Sequence, residues 1–208
     1  KTAIKVLENL GAKFSEVSLP LTEFSLPVYY IIQPAEASSN LARYDGLRYG
    51  QPSPAAKSLL EVYEQTRAEG FGVEVKRRLM IGTYVLSSGY KEAYYKQARK
   101  VQSLIQREYR EIFKKVDVLL TPTTPEPAFK LGAKAGDPLS MYLADIYTVA
   151  ANIAGLCGIS VPAGFTKEQL PIGLQILGSH FCEENILRVA YSFEQNTEHH
   201  LAKPKMNS

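Results

Sequence analysis

The sequence is poor in the residues that usually carry metal and triad chemistry. Among its 208 residues there are only two cysteines and three histidines, and there is no tryptophan. Cys157 and Cys182 show neither a CxxC spacing nor paired histidines beside them, which argues against a zinc site and a disulfide framework. We therefore expect reduced, packed thiols of a cytoplasmic protein, or of an organellar equivalent. His180, His199 and His200 come late and lack a matching cysteine or aspartate, so neither a Ser-His-Asp triad nor a metal centre is expected.

The sequence also lacks the features of membrane, secreted, phosphate-binding and nucleic-acid-binding proteins. No apolar run approaches the roughly 20 residues that span a bilayer, and no signal peptide is visible. There is no Gly-rich phosphate-binding loop. The formal charge of +3 is spread along the chain, unlike the clustered basic stripe of a nucleic-acid-binding module. The chain also opens without Met in what reads as a helix, so we expect a fragment of a longer protein.

Helical and strand patterns alternate along the chain, which predicts an α/β protein. The segment Pro27–Ile32 is rich in β-branched and aromatic residues and fits either a strand or the start of a buried helix. Residues 42–50 read as a loop with a turn at Asp45-Gly46. We predict helices at residues 2–10, 54–67, 74–115, 138–153 and 183–196, and strands at 13–19, 116–120, 158–165 and 171–178. Gly89 is expected to break the third helix, and Asp137 to cap the fourth at its N-terminus.

One arginine lies at the entrance of an apolar helical segment. Residues 79–86, inside the predicted helix 74–115, are apolar on every side and suit a helix buried in a core. Arg78 shares a stripe with Gly82 and Val85, so helical geometry directs its guanidinium inward. A buried cation needs a partner. Glu74, one turn earlier, is a local candidate for that partner.

Asp145 is the other conspicuous charge, because the segment around it (MYLADIYTVAANIAG) is otherwise uncharged. A buried carboxylate there would need a partner or become protonated. Arg78 and Asp145 could pair with each other, and such buried ion pairs need not be functional. Alternatively, Arg78 binds the carboxylate of a zwitterion and Asp145 binds its ammonium. The residues alone leave both interpretations open.

The remaining polar candidates point to structure rather than to catalysis. Tyr29 and Tyr30 lie in an apolar run, where a tyrosine hydroxyl is usually satisfied by backbone. Ser38-Ser39 and Ser87-Ser88 lie outside any G-x-S-x-G motif and have no base nearby, so packing or capping is expected. The chain thus contains candidate ligand-binding groups but no evident catalytic group.

Four stretches carry a resemblance to a known family. They are YYIIQPAEASSNLARYDGLRYG, EGFGVEVKRRLMIGTYVLSSGYKEAYYKQARKV, DVLLTPTTP, and GISVPAGF with PIGLQILG. From about Lys1 to Glu194 the chain closely resembles the C-terminal portion of the A subunits of glutamyl-tRNA(Gln) amidotransferases, within the amidase signature family. The resemblance implies that residues 1–208 are the C-terminal part of a single amidase signature domain, with a mixed β-sheet flanked by helices.

The resemblance implies a glutamine-hydrolysing enzyme. The family uses a Ser–cis-Ser–Lys triad from its N-terminal half, and no GGSSGG-like run occurs in this chain. We therefore expect no catalytic residue here and no activity of the chain alone. The resemblance further implies that glutamine is held by Arg78 of the EVKRR segment, Asp145 of DPLxMYxxD and Tyr29 of PVYY, with Tyr30 as the alternative to Tyr29.

Partners follow from the same resemblance. It implies that ammonia passes to the B subunit of the amidotransferase, which activates the glutamate of Glu-tRNA(Gln) with ATP and Mg, while the C subunit braces the assembly. No cofactor is expected in this chain. Two alternatives stay open: a general amidase acting on uncharged amides, and a non-catalytic binding or scaffold fragment. A truncated domain should also expose strand edges and apolar surface, so we expect self-association.

Overall fold

The computed structural model describes residues 1–134 and 136–204. Two compact units are formed, one by Lys1–Leu26 with the chain from Gln102 onward and the other by Pro27–Val101. The single domain expected for residues 1–208 stays a prediction. The helices are α1 (Thr2–Asn9), α2 (Ser25–Leu41), α3 (Leu59–Gly70), α4 (Val73–Leu86), α5 (Gln97–Phe113), α6 (Pro138–Leu143), α7 (Ile146–Ala154) and α8 (Glu183–Gln195), with a π-helix at Lys91–Lys96, 3-10 helices at Pro20–Phe24 and His199–Leu201, and strands β1 (Leu119–Pro122), β2 (Cys157–Phe165) and β3 (Pro171–Gly178).

The first unit is built on a three-stranded sheet in the order β1-β3-β2. Ile176 of β3 lies beside Leu120 of β1 and Ile159 of β2. Because side chains alternate across a strand, these residues share one face of the sheet. Residues of α1 and α8 pack in the same core, which consists of Leu7, Val161, Leu174, Ile176, Ile186, Ala190 and Phe193. The α/β class predicted from the sequence is confirmed.

The hairpin at residues 158–165 and 171–178 is confirmed, as are α1 and α8. Asp137 caps α6 as predicted, because its Oδ1 accepts a hydrogen bond of 3.1 Å from the backbone N–H of Ser140. Both described strand pairings are antiparallel. The mixed sheet implied by the resemblance is therefore not seen within residues 1–134 and 136–204, where β1 and β2 each run against the central β3.

Two strand predictions need correction. Residues 13–19 form no strand, and the chain goes directly into the 3-10 helix at Pro20. Their alternating pattern failed because Phe14 and Val17 remain 39% and 37% exposed, so no core face exists for a strand to bury. The strand predicted at 116–120 begins later, at Leu119, and continues through Pro122.

The predicted helix 138–153 is also corrected, because it is two helices rather than one. α6 ends at Leu143, and α7 begins at Ile146 with Asp145 as its N-cap. Gly155 closes α7 with φ of 74°, the left-handed conformation that glycine adopts at low cost. Asp145 therefore lies at a break between helices, not on a continuous apolar stripe.

In the second unit, the segment Pro27–Ile32, which the sequence left as either a strand or a helix, is part of the helix α2. The α2 helix contains Pro34 in its interior and contacts α4 closely beside it. A Cβ atom added at Gly82 of α4 would lie 1.9 Å from the carbonyl oxygen of Pro34 and 2.7 Å from Oγ of Ser38. Only glycine permits this approach of the two helices.

The predicted helix 74–115 is divided into α4, a π-helix and α5. The break at Gly89 is confirmed, with φ of 86°. The expectation that 79–86 is buried on every side was wrong. Met80 is 75% exposed and Tyr84 is 51% exposed, whereas Gly82 and Val85 are buried. One face of α4 is thus packed and the opposite face is open among the described residues.

Candidate functional site

Arg78 is held by three side chains of its own compact unit. Its Nε donates to Oε1 of Glu74 at 3.0 Å, one turn earlier on α4. Its Nη1 donates to the hydroxyl of Tyr29 at 3.1 Å and to Oε1 of Gln33 at 2.8 Å, both on α2. The side chain is 24% exposed. The predicted inward direction of the guanidinium is therefore confirmed, and its local partner is Glu74.

The electrostatics keep this guanidinium charged. Burial alone lowers the pKa of Arg78, but the hydrogen bonds to Tyr29 and Glu74 outweigh burial and raise the pKa above its ordinary value. The rings of Tyr29 and Tyr30 lie 5.9 and 5.8 Å from the guanidinium carbon, within the range of cation–π attraction. The charge is therefore permanent and its orientation is fixed.

One end of the guanidinium remains available. Nε and Nη1 are engaged, whereas Nη2 of Arg78 makes no hydrogen bond to any described residue. A guanidinium N–H pair is a strong donor to a carboxylate or phosphate oxygen. The geometry therefore suits an anion-binding group whose direction is set by Tyr29 and Gln33.

Tyr29 and Tyr30 are distinguished by their hydroxyl contacts with Arg78. The two rings meet edge to face, with centroids 5.1 Å apart. The hydroxyl of Tyr29 accepts the hydrogen bond from Arg78. The structure thus brings together two of the three residues assigned to ligand binding, Arg78 and Tyr29, in one cluster.

Asp145 belongs to the other compact unit. Its side chain is exposed, so the expectation of a buried carboxylate was wrong. The reason is the break between α6 and α7, which places Asp145 at a helix start. Its backbone carbonyl accepts hydrogen bonds from Thr148 and Val149, while its carboxylate makes no capping bond to the helix. The carboxylate is thus not used to cap α7.

Gln33 was missed by sequence reasoning. It lies four residues after Tyr29, so both side chains occupy one face of α2. The signal was hidden because the run of β-branched and aromatic residues before Gln33 fitted a strand as well as a helix. Had the segment been assigned as helix, the spacing of Tyr29 and Gln33 would have placed Gln33 beside the tyrosine.

Two clefts lie within the unit formed by Pro27–Val101, and neither includes Arg78. One, of about 380 Å³, is lined by residues that include Tyr44, Tyr49 and Phe71. The other, of about 320 Å³, is lined by residues of α2, α4 and the π-helix. Arg78 instead lies against the side of α2, where it contacts Tyr29 and Gln33.

The other candidates are structural in the described chain. Ser38 and Ser87 donate their hydroxyls to the backbone carbonyls of Ala35 and Tyr84, as expected for packing and capping. Cys157 and Cys182 are free thiols. Among residues 1–134 and 136–204, no cluster of three or more His, Cys, Asp or Glu could hold a metal ion. In the same residues, no helix has the length and apolarity to cross a membrane.

Comparison with known proteins identifies close relatives. The model of the amidase family matches residues 1–187. The chain is 62% identical over 204 residues to the A subunit of the glutamyl-tRNA(Gln) amidotransferase of Carboxydothermus hydrogenoformans. That match covers 98% of this chain and 42% of the relative, so the chain spans less than half the length of the relatives it matches.

Solved structures agree at the level of the fold. The crystal structure of the A subunit of the Thermotoga maritima glutamyl-tRNA(Gln) amidotransferase matches with a TM-score of 0.68 and 44% identity, over 94% of this chain and 37% of that one. The structure of 6-aminohexanoate cyclic dimer hydrolase matches with a TM-score of 0.72 at 17% identity, over 98% of this chain and 41% of that one. The second likeness concerns the fold alone.

Proposed function

The chain belongs to the amidase family, and from that premise we propose that it supplies the glutamine-binding part of the glutamine-hydrolysing A subunit of a tRNA-dependent amidotransferase. The observation that carries the proposal is the fixed guanidinium of Arg78 beside Tyr29. The 62% identity to an amidotransferase A subunit supports glutamine as the ligand.

In this proposal Arg78 binds the α-carboxylate of free glutamine. Arg78 offers Nη2 to the α-carboxylate, while its contacts with Glu74 and Gln33 prevent the guanidinium from rotating away. The Tyr29 hydroxyl has an O–H of its own to donate to the same carboxylate, since it accepts from Arg78. The ammonium group is assigned to Asp145 by the resemblance of its segment alone.

The chain provides binding and orientation, and the covalent chemistry comes from outside it. Amide hydrolysis through an acyl-enzyme needs a nucleophile and a group that accepts its proton. No serine of this chain lies in the Gly/Ser-rich signature of the family. We assign the Ser–cis-Ser–Lys triad to the part of the A subunit that this chain does not contain, and we assign no catalytic residue to the chain itself.

The wider assembly is part of the same proposal. Ammonia released from glutamine would pass to the B subunit, which would use ATP and Mg to activate the glutamate of Glu-tRNA(Gln), with the C subunit as the third component. No cofactor is assigned to this chain. We expect this modification of tRNA-bound glutamate to take place in the cytoplasm or an equivalent organellar compartment.

The competing function is a general amidase acting on uncharged amides. Such an enzyme gains little from a fixed guanidinium at its ligand site, because an uncharged amide offers no carboxylate to Nη2 of Arg78. A scaffold role without a ligand would likewise leave Nη2 of Arg78 without a function. The arginine therefore favours an acidic or zwitterionic substrate.

A chimaera tests the proposal. The matching 42% of the Carboxydothermus protein is replaced by this chain, and the product is assayed for hydrolysis of glutamine and of simple alkyl amides. We expect glutamine to be preferred, and the 208-residue chain alone to hydrolyse neither. A chimaera that prefers alkyl amides would support the general amidase instead. Glutamine hydrolysis by the chain alone would overturn the assignment of the triad to the other part of the enzyme.

A further inference from the structure

A second ligand site is indicated by the cleft of about 320 Å³ in the unit formed by Pro27–Val101. Its apolar lining comes from Ala35 and Leu86. Around them lie five polar side chains, two of them charged: Glu36, Ser39, Asn40, Lys91 and Tyr95. The volume is in the range of clefts that hold small molecules, and an apolar floor with a few polar groups is typical of such clefts.

The α2 helix continues its polar face from Arg78 into this cleft. Tyr29, Gln33, Glu36 and Asn40 follow one another at steps of four, three and four residues, so they lie on one face of the helix. The first two contact Arg78, and the last two line the cleft. With a rise of about 1.5 Å per residue, Glu36 lies only about 5 Å beyond Gln33 along the helix.

The two charges in the cleft have opposite signs and do not neutralise each other. Within the described residues, neither Glu36 nor Lys91 takes part in an ion pair. Charges elsewhere in this unit do pair, as Lys96 does with Glu92 at 2.6 Å in the same π-helix. Both side chains are exposed, so their charges are solvated and accessible to a ligand that carries the two opposite charges.

The neutral groups in the cleft are uncommitted as well. The side chains of Ser39 and Asn40 are exposed, and no hydrogen bond joins them or the Tyr95 hydroxyl to any residue in 1–134 or 136–204. Amide, hydroxyl and phenol groups together offer both donors and acceptors. They can therefore bind a polar ligand side chain once its charged ends are held.

The π-helix at Lys91–Lys96 is a further indication of function. The π-helical conformation is rare and occurs frequently at functional sites, and here it extends over six residues. The segment follows Gly89, whose φ of 86° ends the preceding turn. It brings Lys91 and Tyr95 to the same cleft.

We propose that this cleft binds a small zwitterion of the α-amino acid class. Lys91 binds the carboxylate of the ligand and Glu36 binds its ammonium, while Ser39, Asn40 and Tyr95 contact its polar side chain. The proposal goes beyond the glutamine site at Arg78 and does not depend on it, since no residue is shared between the two sites.

Calorimetric titration of the 208-residue chain with L-glutamine tests the proposal. An Arg78→Ala background removes the other glutamine site, so binding at the cleft is measured alone. In this background we expect one remaining site, weakened about tenfold or more by Glu36→Gln or by Lys91→Met, since each loses one charge-assisted contact. Glu92→Gln, on the same π-helix but outside the cleft, should leave the affinity unchanged.

Two analogues of glutamine test which group of the ligand Glu36 binds and which group Lys91 binds. N-acetyl-L-glutamine lacks the ammonium, and L-glutaminamide lacks the carboxylate. Each should bind the Arg78→Ala chain at least about tenfold more weakly than glutamine. The Glu36→Gln variant should no longer distinguish glutamine from the acetyl analogue, and the Lys91→Met variant should no longer distinguish it from the amide analogue.

Two results would contradict the proposal that the cleft binds an amino acid. If the Arg78→Ala chain, with an unchanged far-UV circular dichroism spectrum, binds no glutamine, the cleft takes no amino acid. If it binds glutamine but Glu36→Gln and Lys91→Met bind it equally well, Glu36 and Lys91 are solvated surface charges only. Unchanged thermal unfolding of these variants separates loss of binding from loss of fold.

Discussion

Nη1 of Arg78 on α4 lies 3.1 Å from the hydroxyl of Tyr29 on α2, across 49 positions of sequence. The same atom donates to Gln33 at 2.8 Å. Both contacts use Nη1, and Nη2 makes no hydrogen bond to a residue that the structure describes. Two helices therefore fix the position of one cation, which is the arrangement that an anion-binding group requires.

The contact between α2 and α4 depends on Gly82. In Gly82→Ala, the added Cβ would lie 1.9 Å from the backbone carbonyl oxygen of Pro34, so the helices must move apart. We expect the free energy of unfolding to fall by about 1–3 kcal/mol, as for other overpacked sites, although alanine is the better helix former by about 1 kcal/mol. Urea denaturation followed by circular dichroism measures the change.

Gly70→Ala is the matched control for this prediction. Gly70 is the last residue of α3, and a Cβ there would meet no atom within 4 Å. The substitution should leave the free energy of unfolding within about 1 kcal/mol of the original, in the stabilising direction. Equal stability of Gly82→Ala and Gly70→Ala would mean that α2 and α4 are not in close contact.

The loop at residues 42–50 should be sensitive to acid through Asp45. Backbone N–H groups of Arg48 and Leu47 donate to its carboxylate, which lowers the pKa of Asp45 from 3.8 to about 2. A carboxyl with a lowered pKa stabilises the fold fully above about pH 4 and loses that contribution as the pH falls towards about 2. Chemical shifts of Asp45 and of the Leu47 and Arg48 amides against pH measure this directly.

Substitutions separate the two kinds of contact that Asp45 makes. Asp45→Asn keeps an oxygen for the backbone N–H groups but loses the charge that pairs with Arg48 at 3.1 Å. It should weaken the loop less than Asp45→Ala and remove the change in the amide shifts between about pH 2 and 4. Persistence of that change in Asp45→Asn would assign the transition to another carboxyl group.

Self-association of the chain is expected from its exposed apolar surface. Met80 and Leu60 are 75% and 64% exposed, and β1 and β2 each pair with only one described strand. Light scattering should give a mass above that of one chain, increasing with concentration. Met80→Glu should lower this mass and Lys57→Glu should not. A single-chain mass at all concentrations would contradict the prediction.

Local patterns predicted local structure well. The pairing of Glu74 with Arg78 follows from their i,i+4 spacing, and the hairpin, α8 and the Asp137 cap follow from periodicity and capping chemistry. Contacts between distant residues could not be obtained this way. Tyr29 was assigned from the resemblance, because Tyr29 and Arg78 are 49 residues apart and such a contact has no local sequence signal. Gln33 was not predicted, because the segment before it was not assigned as a helix.

Asp145 shows a second limit of sequence-based prediction, the recognition of a break between two helices. The apolar spacing from Met141 to Ile153 continues through the break between α6 and α7, so periodicity alone predicted one helix. Aspartate is a favourable N-cap residue, and this was the only local sign of a new helix start. Because the prediction of burial rested on the continuous helix, it failed together with the helix.

The central claim, that Arg78 binds the α-carboxylate of glutamine, is tested most directly by steady-state kinetics of the Carboxydothermus chimaera with glutamine and L-glutaminamide. In Arg78→Ala, kcat/KM for glutamine should fall about 100-fold with little change for glutaminamide, because only glutamine has the carboxylate. Arg78→Lys should recover part of the loss. An Arg78→Ala enzyme that keeps its thermal stability and its kcat/KM for glutamine, or that loses activity equally on both compounds, would contradict the claim.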